Sequence, residues 1–237
     1  MRGVSCSKMA FVTKDELETP RKASEIRPWV DNKIEEIGTT EEGKHAVRFR
    51  EGLLKELTEE ALPLGIFCEQ YFGNSEEVII THNVGSQNYD ATIEDQRDNK
   101  TILEFLEITQ AHEGEDAHLR MLILEKEGHV NALGAVAKEG TKHPGMTIEV
   151  ENEAVEHKVT FNNEAKRISD AAERKSRKEY PHNTCLIITC DDYIAFRDEV
   201  DVNNLSEFIQ HEVLPKLDNF NKLFIIGWSS KTYLEFK

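Results

Sequence analysis

The chain has few cysteines, and none of them is spaced for metal binding or redox chemistry. Its four cysteines, Cys6, Cys68, Cys185 and Cys190, form no CxxC pair, which argues against a zinc knuckle or a thiol redox motif. Three of them lie in apolar surroundings, where a thiol behaves as a small hydrophobic group. We therefore expect reduced, structural thiols.

Long apolar runs are also missing. The longest runs last about five residues, whereas a membrane span needs about 20. No apolar core region precedes the charged segment Lys14-Asp15-Glu16, so a secretory signal is not expected. The sequence predicts a cytoplasmic protein that makes no membrane contact.

Basic residues are outnumbered. The 237 residues include 45 acids and 29 bases, for a net charge of −16, which argues against coating nucleic acid non-specifically, since such binding depends on Lys and Arg neutralising phosphates. An enzyme with a local basic patch stays open, as does an acidic protein binder or a surface that imitates nucleic acid. The hydrophobic content of 38% and the length suit one large soluble domain, or a compact core with a small helical appendage.

Hydrophobic periodicity predicts helices first, then strands, then alternating helices and strands. Hairpin-length connections make the first three strands antiparallel neighbours. The predicted helices are 23–37, 40–61 with a break or kink at Pro63, a short segment through residues 66–71, 117–125, a helix capped by Asn162 or Asn163 and running to 178, and 204–217. The predicted strands are 77–82, 89–95, 102–109, 146–150, 184–190, 223–228 and 232–236.

Two acids lie where a core strand is normally apolar. Asp90 falls on the second predicted strand, and Glu107 falls on the third, where alternation places it on one face with Leu103 and Phe105. A lone charge there is costly without a partner or a metal. Carboxylates on a rigid sheet suit Mg²⁺ or Mn²⁺, which take oxygen ligands. The alternative is that Asp90 is a strand-end acid and that Glu107 pairs with an Arg or a Lys.

This order, with Asp90 on the second strand and Glu107-Ile108-Thr109 on the third, resembles the PD-(D/E)XK nuclease superfamily over roughly residues 41 to 190. The resemblance implies a restriction-endonuclease-like α-β-β-β-α-β core, with N-terminal helices and an insertion after the third strand. It implies residues 1–40 as an extension and helix, and residues 41–237 as the nuclease-like domain. It also implies that Asp90 and Glu107 hold Mg²⁺ or Mn²⁺ and that Ile108 lends its carbonyl.

Thr109 departs from the superfamily pattern, because it stands where a Lys orients or activates the attacking water. The cation must then come from elsewhere, and the dense basic cluster of residues 163–178 offers Lys175 near its apolar face. The alternative is that the acids of this helix pair with its bases on a solvated surface. Arg120 and His118 are further candidates to face phosphate, and Arg120 could instead neutralise Glu107.

A helix acid commonly joins such a site, and Glu60 lies on the apolar stripe of the second predicted helix. An ordinary surface acid is the alternative there. His112 and His118 lack the i, i+4 spacing of a helical zinc pair, and no His lies in a nucleophile-elbow context. We therefore expect a mixed α/β, Mg²⁺-dependent nuclease that acts on nucleic acid. One alternative is a non-catalytic interaction or regulatory protein on that scaffold, with a protein partner or a second copy of itself. Another is an α/β domain unrelated to nucleases, in which both acids are structural.

Overall fold

The structure is a computed structural model that describes residues 10–73, 75–98, 103–140, 145, 147–152 and 154–237. It is mixed α/β, which confirms the predicted class. By contacts between backbones, the chain divides into two compact units between Asp98 and Asn99. The division predicted at residue 40 stays a prediction. Within the described residues, no helix has the length and apolar character needed to cross a bilayer.

The first unit begins with helices. They are α1 (Lys14–Glu18), α2 (Ala23–Ile37), α3 (Glu41–Arg48), α4 (Leu54–Glu56) and α5 (Leu62–Phe67). π-Helical segments at Leu57–Ala61 and Cys68–Phe72 follow α4 and α5, so the chain is helical from residue 54 to residue 72. The predicted bounds of α2 are confirmed, and a capping box formed by Thr13 and Glu16 begins α1.

Three short strands complete this unit. They are β1 (Arg21–Lys22), β2 (Val78–His82) and β3 (Ala91–Asp95). β2 pairs antiparallel with both β1 and β3, and His82 lies opposite Ala91. Alternate residues of β2 are buried, which places Val78, Ile80 and His82 on the inner face.

The second unit has four strands in the order β4, β7, β8, β9. They are β4 (Phe105–Gln110), β7 (Thr184–Cys190), β8 (Lys222–Gly227) and β9 (Tyr233–Phe236). β7 runs parallel to β4 and β8, and β9 is antiparallel to β8. Every residue of β7 is buried, which confirms the prediction of a strand covered on both faces. A separate hairpin consists of β5 (Val136–Glu139) and β6 (Thr147–Val150).

Helices α6 (Glu115–Glu127), α7 (His157–Ser176) and α8 (Glu199–Phe208) belong to the second unit. α8 continues through a π-helical segment at Ile209–Val213 and a 3-10 turn at Leu214–Lys216. The main core of this unit joins one face of α7, the α8 region and the strands. Its fully buried members include Ile168 and Ala171 of α7, Leu186 and Ile188 of β7, and Ile225 of β8.

Two predicted helix boundaries were wrong. The predicted helix 40–61 is interrupted after α3, where Arg50 and Gly52 have positive φ values of 54° and 56°. Of the two alternatives predicted at Pro63, a helix end is wrong, because the chain stays helical through Pro63 to Phe72. The helix widens directly before Pro63, because the N–H of Leu62 bonds to the carbonyl of Leu57, five residues earlier. That wider turn accommodates a proline ring, which in a regular helix clashes with the carbonyl four residues back.

α7 begins five residues or more before the predicted cap, with Glu156 in the cap position. Tertiary contacts explain the earlier start, because His157 pairs with Asp201 at 2.9 Å and the ring of Phe161 packs edge-on against Phe196. Two strands begin two or three residues later than predicted: β3 begins after Asp90, and β4 begins at Phe105. Residues 99–102 and 146 lie outside the described residues. They include the first residue of the predicted strand 102–109 and the first residue of the predicted strand 146–150.

Candidate functional site

Glu107 lies in the middle of β4 and faces the core. In the parallel register, Glu107 aligns with Leu186 and Thr109 aligns with Ile188. Aligned residues of paired strands share a face, and Leu186 and Ile188 belong to the core cluster that includes α7. Glu107 is only 4% exposed, so its carboxylate needs a compensating partner.

That partner is Lys175, which reaches β4 from the last turn of α7. Its ammonium donates to Oε1 of Glu107, and the Tyr180 hydroxyl lies 3.4 Å from the same oxygen. The side chains of Lys175 and Glu107 are 17% and 6% exposed, so this ion pair is largely shielded from water. The structure therefore places Lys175, the cation predicted from the sequence, beside Glu107, the predicted metal ligand. It equally fits the alternative in which Glu107 is an ion-paired acid.

The two oxygens of Glu107 have different surroundings. Lys175 and Tyr180 both bind Oε1, and across the described ranges no hydrogen bond to Oε2 is found. An ionised carboxylate accepts through both oxygens. The Oε2 atom is therefore the one through which Glu107 could hold a hard cation while Oε1 stays bound to Lys175.

Thr109 and Ile108 follow Glu107 on β4. The carbonyl of Thr109 accepts a 3.4 Å hydrogen bond from the Thr189 hydroxyl, and Ile108 lies opposite Ile187 in the ladder. Thr109 shares the face of Glu107 but carries no charge. In this unit the positive charge beside Glu107 thus comes from α7 rather than from β4.

The first unit holds the other two predicted metal ligands, Glu60 and Asp90. Glu60 lies on the π-helical segment Leu57–Ala61, and its Oε2 is 2.9 Å from Nε2 of His82. Asp90 precedes β3, and its carbonyl accepts a 2.8 Å hydrogen bond from the N–H of Asn83. Both acids therefore lie at the same end of the β2–β3 hairpin. Asp90 and Glu107 belong to different units, and their joint role as ligands stays a prediction.

His82 is a residue that the sequence analysis missed. It is 5% exposed, and its Nδ1 is buried without a hydrogen-bond partner among the described residues. A polar side chain on the inner face of an alternating strand was the available signal, the same signal that identified Glu107. Its contact with Glu60 fixes one carboxylate oxygen of the helix acid.

Arg120 and His118 both lie on α6, but their surroundings differ. Arg120 is 7% exposed; it donates to the Glu113 carboxylate and, at 2.5 Å, to the carbonyl of Gly134. Burial lowers the pKa of its guanidinium. Arg120 pairs with Glu113 and Glu107 pairs with Lys175, so the predicted alternative role of Arg120 as the neutralising partner of Glu107 is wrong. His118 is exposed on the same helix.

The basic residues of α7 divide into two groups. Of the six bases in the cluster 163–178, three pair with acids at i, i+3 or i, i+4 spacing, as the solvated-helix alternative predicts. Lys175 and Arg174 instead reach β4, Arg174 through a 3.4 Å contact with the carbonyl of Gln110. The pairs within the helix are Lys166–Asp170, Arg167–Glu164 and Arg177–Glu173.

The described part of the chain contains no preformed metal site with several ligands. Among the residues that the structure describes, no group of three or more His, Cys, Asp or Glu side chains could hold a metal ion. Comparisons with models of protein families, with curated proteins and with solved structures gave no match. The function is therefore inferred from the positions and contacts of the residues described above.

Proposed function

We propose that this protein is a Mg²⁺- or Mn²⁺-dependent phosphodiesterase that acts on nucleic acid, with a restriction-endonuclease-like core. One observation carries the proposal: Lys175 and Tyr180 bind one oxygen of the buried Glu107, and the other oxygen has no hydrogen bond within the described residues. A carboxylate fixed on a rigid strand can hold a divalent cation, and an ammonium beside it can orient the attacking water or neutralise the phosphoryl oxygens.

Each residue has a distinct role in this proposal. Glu107 and Asp90 are the carboxylate ligands, the carbonyl of Ile108 assists, and Glu60 is the helix acid, oriented by His82. Lys175 provides the positive charge that Thr109 lacks, and it orients the attacking water or neutralises the phosphoryl oxygens. When bound, a divalent cation polarises the phosphate and lowers the pKa of a water ligand.

The rival proposal is a non-catalytic interaction protein on the same scaffold. Its best support is that Glu107 already has a partner in Lys175, because a closed ion pair is complete without a metal. Thr109 and the net charge of −16 also favour it. In this case the partner is a protein or a second copy of the chain.

A cleavage assay tests the enzyme proposal. Supercoiled plasmid DNA and single-stranded RNA are incubated with the protein and with Mg²⁺ or Mn²⁺ at millimolar concentration, and products are followed on gels. We expect metal-dependent cleavage that Glu107→Gln, Asp90→Asn and Lys175→Met each reduce by about a hundredfold or more, the size of effect typical for a lost charge-stabilising group.

The matched control is Lys166→Met, which removes an exposed lysine of the same helix. It leaves cleavage unchanged if Lys175 acts through its position beside Glu107. Cleavage that persists in Glu107→Gln contradicts the proposed ligand. An absence of cleavage on both substrates, together with no rise in melting temperature on adding metal, favours the interaction protein.

A further inference from the structure

A second charged cluster lies in the second unit, apart from the Glu107–Lys175 pair. Its centre is the carboxylate of Glu113, which accepts from two arginines of different helices: Arg120 of α6 binds Oε2, and Arg167 of α7 binds Oε1. Each oxygen of one carboxylate thus has its own guanidinium. Two guanidiniums thus converge on one anionic group, each through one charge-assisted hydrogen bond of the kind that arginine also makes to phosphate.

Among the described residues, only Glu113 neutralises Arg120 by direct contact. Arg167 has a second acid, because its Nη1 lies 2.8 Å from Oε2 of the buried Glu164. Burial raises the pKa of Glu164, and its other oxygen accepts from the N–H of Asp191 at 2.9 Å. The other contact of Arg120 is an uncharged carbonyl, that of Gly134. Without Glu113, the cluster therefore carries two guanidiniums and one carboxylate, a net positive charge.

The guanidinium of Arg120 has one donor left over. Nε of Arg120 is buried and has no hydrogen-bond partner among the described residues. A guanidinium has five donors, and a buried donor left unpaired costs free energy. A carboxylate has only two oxygens to offer the two arginines, whereas a phosphate has more oxygens and more charge.

Glu113 is the member of this cluster that lies on a loop. It lies on the short loop between β4 and α6, and its side chain is 21% exposed. Gly114 follows it with φ of 66°, a conformation that other residues rarely adopt, and a Cβ there would meet no atom within 4 Å. In contrast, Arg120 and Arg167 lie on two long helices.

We propose that Arg120 and Arg167 form a binding site for a phosphate group and that Glu113 occupies this site in the absence of the ligand. The ligand is a phosphate monoester or inorganic phosphate, whose dianion offers more oxygens and charge than the carboxylate it displaces. This site does not rest on the proposed nuclease activity. The competing interpretation is a purely structural ion network that ties the loop to α6 and α7.

Phosphate titrations of three proteins separate these interpretations. Binding of inorganic phosphate is measured by isothermal titration calorimetry and phosphorus NMR for the natural protein, for Glu113→Gln and for the double variant Glu113→Gln/Arg167→Gln. Removing the competing charge should tighten phosphate binding by about tenfold to a hundredfold, the range for a hydrogen bond to a charged group. The added Arg167→Gln change should cancel that gain.

The matched control is Asp95→Asn in the first unit. It removes the acid bound to Arg97, which is a single guanidinium and not a pair. We expect no gain in phosphate affinity there. Equal gains in Glu113→Gln and Asp95→Asn, or a gain that survives the loss of Arg167, overturn the proposal.

Two further arms complete the test. If Glu113→Gln does not fold, the natural protein is compared with Arg167→Gln. Weak phosphate binding that this variant abolishes supports the site, and binding unchanged by it overturns the site. Oligonucleotides with and without a 5′-phosphate then compete with inorganic phosphate. Competition that needs the 5′-phosphate identifies a nucleic-acid end as the source, and no competition identifies the free ion.

Discussion

Replacing Lys175 with methionine tests the buried ion pair most sharply. Lys175→Met keeps the length and apolar stem of the side chain but removes its charge, which leaves the carboxylate of Glu107 in the core. Tyr180 then remains as the partner, at 3.4 Å from Oε1. Because Glu107 is only 4% exposed, water cannot replace the lost ammonium without a change in structure.

The expected loss follows from two opposing terms. At an N–O separation of about 2.8 Å and an effective dielectric constant of about 20, Coulomb's law gives an attraction of roughly 6 kcal/mol. Part of this is offset because the ammonium no longer has to be desolvated and the lysine side chain no longer has to be ordered. Removing one partner of a buried pair typically costs about 3–5 kcal/mol. The side chain of Lys175 is 17% exposed, so we expect a loss of about 3 kcal/mol.

Urea denaturation followed by circular dichroism measures this loss as the free energy of unfolding. Glu107→Gln should lower the free energy of unfolding by less than Lys175→Met does. The ammonium of the unpaired Lys175 can turn toward water on its flexible side chain, whereas the carboxylate of an unpaired Glu107 stays buried. The double variant should be more stable than the sum of the two single losses predicts, which a double-mutant cycle reports as coupling. Lys166→Met, at an exposed pair, should cost less than about 1 kcal/mol. A similar small cost for Lys175→Met, with no coupling to Glu107, would refute the reasoning.

Two further predictions concern stability away from this pair. Hydrogen bonds from the Lys33 ammonium and from the N–H of Thr13 lower the pKa of Glu16 from its ordinary value of 4.5 to about 2. The ionised Glu16 carboxylate therefore stabilises the folded protein above pH 4.5, and this stabilisation is lost as pH falls toward 2. Glu16→Gln should therefore be less stable than the natural protein at pH 7 in urea titrations and equally stable near pH 2; a deficit independent of pH would contradict this. Leu186 is fully buried in the core of the second unit, and Leu186→Ala should lower the free energy of unfolding by about 2–5 kcal/mol. A loss below about 1 kcal/mol would contradict the packing described for β7.

The parts of the fold that depend on local pattern could be predicted from the sequence. The stripe of α2 and the continuous apolar run of β7 gave correct elements, because burial of one helix face or of both strand faces leaves a periodic signal. The errors occurred where tertiary contacts or backbone geometry decide. The positive φ of Arg50 and the early start of α7 at His157 have no periodic signature.

The candidate site shows the same limit. Glu107 could be identified because a charged residue on the inner face of an apolar strand is unusual, and His82 carried the same signal without being recognised. The contact between Glu107 and Lys175 spans 68 positions of sequence, and only the parallel pairing of β4 with β7 and the packing of α7 decide it. Arg120 lies in a buried network with Glu113, which no spacing in the sequence indicates.

Direct metal binding to Glu107 is the central claim, and Mn²⁺ titration followed by electron paramagnetic resonance tests it. The natural protein should bind Mn²⁺, and Glu107→Gln should bind it at least about tenfold more weakly, since losing one charged ligand costs 1.4 kcal/mol or more. Lys166→Met should bind as the natural protein does. Equal Mn²⁺ affinity in the natural protein and in Glu107→Gln would contradict the account.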